Sequence, residues 1–244
     1  MSYKYINRSI SKKINSDSKI INVYSNEYFA KFYQDHTFTN SFNNDLDFYK
    51  SILNTEDLII ELASGTGRIL IPLLQEGYNI RGVESEISMI EVMPPKYHKY
   101  VEHSDVFDFA TNEKFYTQAD CFIIPATSIS IFSLKAIEDF LFSLTKKNKK
   151  FNIIFDIINM DSLVTEKPKK EKNEHGTFYY INFKQSGFIV YNLYHVETNT
   201  LGYSKKFSHT IGQLHDIFEN TGCKLEILKE YENYFILKGS YDFE

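Results

Sequence analysis

From residue 57 onward, apolar positions fall into short continuous runs separated by stretches with helical spacing, the pattern of βα units around a mostly parallel sheet. Leu58 to Leu62 has the length and branching of a buried strand. Arg68 to Glu76 is the helix behind it, closed by Gly77, with Pro72 expected to bend its first turns. Asn79 to Glu84 is the second strand, and Ile87 to Met93 a short helix stopped by Pro94 and Pro95. A third strand at Tyr100 to Glu102 leads into Asp105, Cys121 to Ile124 is a fourth, and Phe151 to Ile158 a fifth. Leu134, Ile137, Leu141 and Leu144 mark an amphipathic helix between the last two.

Other periods flank this core. The first twenty residues are polar and predict a mobile arm. Tyr28, Phe29, Phe32 and Tyr33 then recur at helical spacing over 26–35. Ser41 is positioned to cap a second helix carrying Phe42, Leu46, Tyr49 and Leu53. The Lys- and Glu-rich stretch 166–174 predicts a solvated loop. Residues 177–207 alternate as TFYYINF, FIVYNLYHV and LGYSKKF, the pattern of antiparallel hairpins. A helix through Ile211, Leu214, Ile217 and Phe218 ends at Gly222, and strand-like runs at 224–229 and 234–238 follow. The expectation is an α/β fold: a mostly parallel seven-stranded sheet flanked by helices, with an antiparallel β insertion after the fifth strand. Residues 1–55 would form an arm and helices acting as a lid. Residues 56–244 would form the main domain, its insertion at about 176–208 covering a substrate.

Composition narrows the partners. The formal charge of -5 gives no general attraction to phosphate backbones, so no nucleic-acid partner is expected. No apolar run approaches membrane-spanning length and no signal-peptide core is present, so a cytoplasmic protein without a membrane partner is expected. Cys121 and Cys223 stand far apart with no zinc-site spacing, which points to buried thiols in a reducing compartment and to no metal. The 21 Phe and 18 Tyr supply either an aromatic core or a cavity walled by flat rings.

The chemistry concentrates in Glu61-Leu62-Ala63-Ser64-Gly65-Thr66-Gly67-Arg68, where a strand turns into a helix. Glycines there let a ligand approach the backbone. Position 70 is Leu where a dinucleotide fingerprint places its third glycine, and no GxxxxGK[ST] phosphate loop occurs. Glu84 ends the second strand and so points from the carboxyl edge of the sheet into the same crevice, where a carboxylate can accept both hydroxyls of a ribose. Asp105, followed by Val106, ends the third and can accept from an adenine amino group.

Glu61 to Gly67, Gly82-Val83-Glu84, Asp105 and Cys121 to Thr127, in this order, resemble the motifs of class I S-adenosylmethionine-dependent methyltransferases, over residues 24–239. The resemblance implies a Rossmann-like sheet and S-adenosylmethionine as cofactor, with S-adenosylhomocysteine as product. It implies that Glu61, Ala63, Gly65 and Gly67 hold the methionine end and Glu84 the ribose. Asp105 would hold the adenine, and Arg68, Ser85, Val106 and Pro125 line the same site. Met89 resembles the apolar residue against the adenine face, core packing being the alternative. Ala63 departs from the glycine many members carry.

The insertion is similar to that of small-molecule N-methyltransferases, and the layout to N-methyltransferases of azole peptides such as plantazolicin. An amine of a small molecule or peptide is therefore the expected acceptor; O-methylation, or a non-catalytic module that binds the nucleoside, are the alternatives. Pro125-Ala126-Thr127 replaces the Asn/Asp-Pro-Pro-aromatic motif of base-modifying enzymes. Candidate catalytic groups are Tyr33, Asp156, Asp161 and His209, with Tyr24, Tyr28, Thr127, Tyr191 and Tyr194 also placed near the cleft.

Overall fold

The computed structural model describes residues 4–39 and 43–243. The chain runs α1 (Arg8–Ser11), β1 (Lys19–Asn22), α2 (Glu27–Thr39), α3 (Asn43–Ile52), β2 (Ile59–Leu62), α4 (Leu70–Gln75), β3 (Ile80–Glu84) and α5 (Ile87–Val92). After a 3₁₀ turn come β4 (Val101–His103), α6 (Phe109–Tyr116), β5 (Cys121–Ile124), a 3₁₀ turn at Ser128–Ile131, α7 (Leu134–Lys147) and β6 (Lys150–Ile158). The rest comprises β7 (Lys169–Asn173), β8 (Gly176–Gln185), β9 (Phe188–His195), β10 (Thr200–Lys206), α8 (Ile211–Asn220), β11 (Lys224–Glu230) and β12 (Tyr234–Asp242). The expected Ser41 cap and Phe42 lie outside the described residues.

Seven strands form one sheet in the order β11-β12-β6-β5-β2-β3-β4, with β12 antiparallel to both of its neighbours. The expected seven-stranded, mostly parallel α/β sheet is thus present. The strand order reverses between β2 and β5, opening a crevice at their carboxyl ends. Alternation sorts the side chains: Phe122 and Ile124 of β5 join Ile60 and Leu62 against α6, α7 and α8, whereas Cys121 and Ile123 join Ile59 against α3 and α4.

Several elements differ from expectation for identifiable reasons. The helix expected from Arg68 starts at Leu70, so Pro72 occupies its first turn, where a missing N–H breaks no intrahelical bond and no bend is needed. α6 was not apparent from apolar spacing; Asp108 caps it, accepting from the Thr111 amide at 3.2 Å, and Tyr116 anchors it in the core.

The 166–174 stretch is not wholly a loop: Lys169–Asn173 pairs antiparallel with β8 as an edge strand whose charges stay at the surface, which discourages further strand addition. The polar opening residues are also anchored rather than a free arm. α1 buries Ile10 against Ile181, Tyr194 and Leu201, and β1 pairs in parallel with β10. The insertion is therefore a five-stranded sheet, β1-β10-β9-β8-β7.

The other face of this second sheet receives α2 through Phe29 and Phe32, the latter 4.6 Å from Phe178 between ring centroids. Close approach depends on Gly202 of β10, where an added Cβ would lie 2.6 Å from Phe29 and 2.8 Å from the Val23 backbone. Because backbone cannot yield cheaply, Gly202→Val is expected to cost roughly 2–3 kcal/mol and to lower the thermal midpoint by about 4–10 °C in a melting curve. An unchanged midpoint would contradict this packing.

Candidate active site

At the carboxyl edge of the seven-stranded sheet a cavity of about 520 Å³ opens, within the usual range for small-molecule sites. β2 ends in a turn where Ala63, Gly65 and Gly67 all have positive φ, at 55°, 56° and 81°. Ala63 takes a conformation that costs an L-residue about 1 kcal/mol, the physical reason a glycine would be easier at that position. At Gly67 a Cβ would meet Ile71 at 2.9 Å and the Met93 sulfur at 3.1 Å, so the turn is closed to side chains.

Glu84 closes the loop from β3. Its buried carboxylate accepts from the amides of Gly65 at 2.8 Å and Glu86 at 2.9 Å, and burial pushes its pKa above the ordinary range. Ala63, Gly65, Glu84, Ser85, Met89, Asp105 and Val106 all line the cavity. Asp105 is exposed and accepts from the Phe107 amide at 2.8 Å. Met89 is buried, serving both core and cavity wall.

Glu61 lies beneath this wall, 3% exposed, with Oε2 lacking any hydrogen-bond partner. Burial pushes its pKa up to about 8, against the pull of Arg68. Arg68 itself donates to both oxygens of Asp45 on α3, at 2.7 and 2.6 Å, which fastens α3 to the glycine turn; its guanidinium is not part of the cavity wall. Gly67 and the buried Pro125 likewise stand behind the lining.

The four candidate catalytic groups separate. Tyr33 lines the cavity, its ring edge-on to Tyr24 at 6.4 Å, and burial raises the pKa of both phenols, keeping them neutral. Asp156 is fully buried below the wall. Its Oδ2 accepts from the Thr127 amide at 2.7 Å while Oδ1 has no hydrogen-bond partner, and burial pushes its pKa up to about 7. It thereby holds the sharp turn in which Ala126 and Thr127 both adopt φ 57°. Asp161 is exposed and paired with Lys184 at 2.7 Å, away from the cavity wall. His209 is buried with Nε2 2.9 Å from the Phe132 carbonyl oxygen, and desolvation lowers its pKa, so it supports the wall as a neutral ring.

Of the further candidates, Tyr24 and Thr127 face the cavity, while Tyr28, Tyr191 and Tyr194 do not line it. Tyr28 stacks on His195 at 4.8 Å and Tyr194 donates to the Lys13 carbonyl at 3.2 Å. Sequence reasoning missed Asn22, Glu86 and the β10 residues Ser204 to Lys206. Asn22 donates to Glu86 at 2.9 Å, and Ser88 to the Tyr24 carbonyl at 2.6 Å, drawing the segment after β1 across α5 at the cavity mouth. Nothing local in the sequence signals those long-range contacts.

No protein-family model matches the sequence, and no curated protein matches it significantly. Solved structures do match the fold. A S-adenosylmethionine-dependent methyltransferase from Clostridium acetobutylicum is 11% identical, with a TM-score of 0.59 over 83% of this chain and 100% of that one. A SAM-dependent methyltransferase from Bacteroides fragilis, in complex with S-adenosyl-L-homocysteine, is 16% identical, with a TM-score of 0.58 over 81% and 77%.

The fold is that of the class I methyltransferases.

The sugar N-methyltransferase KedS8 from a Streptoalloteichus species shares it at 14% identity, with a TM-score of 0.58 over 75% of this chain and 79% of that one. Within the methyltransferase fold described here, no group of three or more His, Cys, Asp or Glu among the described residues is arranged to hold a metal. Nor is any helix among them long and apolar enough to cross a membrane. Both cysteines are free and buried, and burial pushes the Cys121 thiol up to about 12.

Proposed function

We propose that this chain is an S-adenosylmethionine-dependent methyltransferase acting on an amine of a small molecule or peptide. The observation that carries the reading is the convergence of the bare turn at Gly65, Glu84 and Asp105 on one cavity, above the orphaned Glu61 Oε2. These groups suit the cofactor. Glu61 offers a buried acceptor for its ammonium, Glu84 accepts its ribose hydroxyls, and Asp105 with Met89 bounds its adenine. When bound, S-adenosylmethionine supplies a methyl group on an electrophilic sulfonium, transferred by in-line displacement.

The remaining work falls to this chain's own residues and consists of orientation and exclusion of water. Tyr33 stands over the glycine turn, 3.8 Å from where a Gly65 Cβ would be. A neutral phenol there accepts a hydrogen bond from an amine N–H and aims the nitrogen lone pair. Asp156, His209 and Arg68 act as positioning residues, through Thr127, Phe132 and the glycine turn respectively. Within residues 1–55 the part from Tyr24 to Tyr33, which reaches the cavity, serves as the lid, and the second sheet serves as the substrate cover. A specialised metabolite, an amino sugar or a peptide amine of the plantazolicin kind, is the substrate class favoured by the inserted sheet and by the N-methyltransferase among the fold's neighbours. The two free thiols suit a cytoplasmic enzyme.

The test is incubation of the purified protein with isotope-labelled S-adenosylmethionine and a panel of amines, alcohols and peptides, followed by mass spectrometry. Labelled methyl on nitrogen is expected. Transfer only to oxygen would overturn the amine assignment, and calorimetry showing no S-adenosylhomocysteine binding would overturn the whole reading.

A further inference from the structure

The cavity has two chemically distinct ends. Its acids, Glu84, Glu86 and Asp105, belong to β3, β4 and the segments just after them, and each is already engaged with a backbone amide or with Asn22. β10 contributes Ser204, Lys205 and Lys206 to the wall. Strand alternation separates them. Lys205 belongs to the face carrying Tyr203, with its nitrogen 5.2 Å from the Tyr5 ring centroid and 5.3 Å from that of Phe188. Lys206 shares the opposite face with Gly202, the one turned toward α2 and the main sheet.

Lys206 is partly buried, and no carboxylate among the described residues lies within ion-pair distance of it. Burial lowers its pKa below the ordinary lysine range, the sign of a cation with no protein counter-charge. Its neighbour Phe207 is fixed to the 3₁₀ turn after β5, the Phe207 amide donating to the Ser130 carbonyl at 2.6 Å. Ser130 lines the same cavity, is 2% exposed, and its Oγ has no hydrogen-bond partner. An unpaired ammonium and an orphaned buried hydroxyl therefore line one cavity, on segments tied together by the Phe207–Ser130 hydrogen bond. A buried donor without a partner is costly unless a ligand satisfies it.

We infer that Lys206, with Ser130, forms an anion site for the acceptor substrate, which is an amine bearing a carboxylate or a phosphate group. The inference rests on the methyl-transfer reading for the role of the amine, but the anion site stands on its own contacts. The amine lies toward Tyr33 and the anionic group toward β10, so the substrate is held at both ends and cannot turn round.

The test is calorimetric titration of β-alanine, O-phosphoethanolamine and ethanolamine into the protein, with and without S-adenosylhomocysteine. One anionic probe is expected to bind at least about tenfold more tightly than ethanolamine, the scale of one charge-assisted contact. Which of the two does so identifies carboxylate or phosphate. Lys206→Met should abolish that preference, Lys206→Arg should keep most of it, and both should bind S-adenosylhomocysteine and melt like the parent. Equal binding of all three probes, no binding of either anionic probe, or a preference that survives in Lys206→Met would overturn the site. Loss of S-adenosylhomocysteine binding in the parent would instead strike the cofactor reading, leaving the titrations without it to judge the anion site.

Discussion

Glu84→Ala should weaken S-adenosylhomocysteine binding by about a hundredfold or more. A charge-assisted hydrogen bond contributes roughly 1.5–3 kcal/mol, and the proposed contact has the carboxylate accept from two ribose hydroxyls at once, so about 3 kcal/mol is the minimum loss. The same side chain accepts from the Gly65 and Glu86 amides, so removing it also releases the turn that bounds the sugar. Glu84→Gln keeps an acceptor oxygen and should lose less. Calorimetry measures the affinities, and melting curves verify that both variants remain folded. An Ala variant that binds like the parent would remove the basis of the cofactor site.

The ligand-free protein should become less stable between pH 5 and pH 8. Glu61, at about 8, and Asp156, at about 7, hold their protons more tightly when folded than as free carboxyls near 4.5 and 3.8. The stability they contribute is complete below about pH 4 and is lost as pH rises through those folded values. Burial drives both shifts, and the combined loss is on the order of several kcal/mol, read as a falling thermal midpoint. Glu61→Gln with Asp156→Asn should flatten that stretch of the curve. S-adenosylhomocysteine, placing an ammonium beside Glu61, should stabilise more at pH 8 than at pH 5 and release a proton on binding. A midpoint that rises over this range, or the same slope in the double variant, would refute the burial argument.

How much of this was legible beforehand depended on range. The β2, β3 and β5 runs announced themselves by length and branching, and the turn between Glu61 and Arg68 by its glycines, because strand burial and backbone clearance are local demands. Asp105 and Glu84 followed from being at strand ends. Asp161, equally a strand-end acid by sequence, is paired with Lys184 at the surface, and no spacing rule distinguishes the two situations. Lys169–Asn173 has the composition of a loop because an edge strand exposed on one face and held to α2 by polar contacts on the other, Glu171 to His36 and Asn173 to Asp35, needs no apolar residues. Lys206 was invisible for another reason: alternation in YSKKF sets its two lysines on opposite faces without telling which one shares the face turned toward α2.

The parallel pairing of Lys19–Asn22 with Thr200–Tyr203 joins segments about 180 residues apart in the chain. A ribosome must therefore deliver about 180 further residues before β1 has its partner strand. The second sheet is accordingly completed only after β2 to β6 have been made, and the main sheet later still, because α8, β11 and β12 follow β10 in the chain.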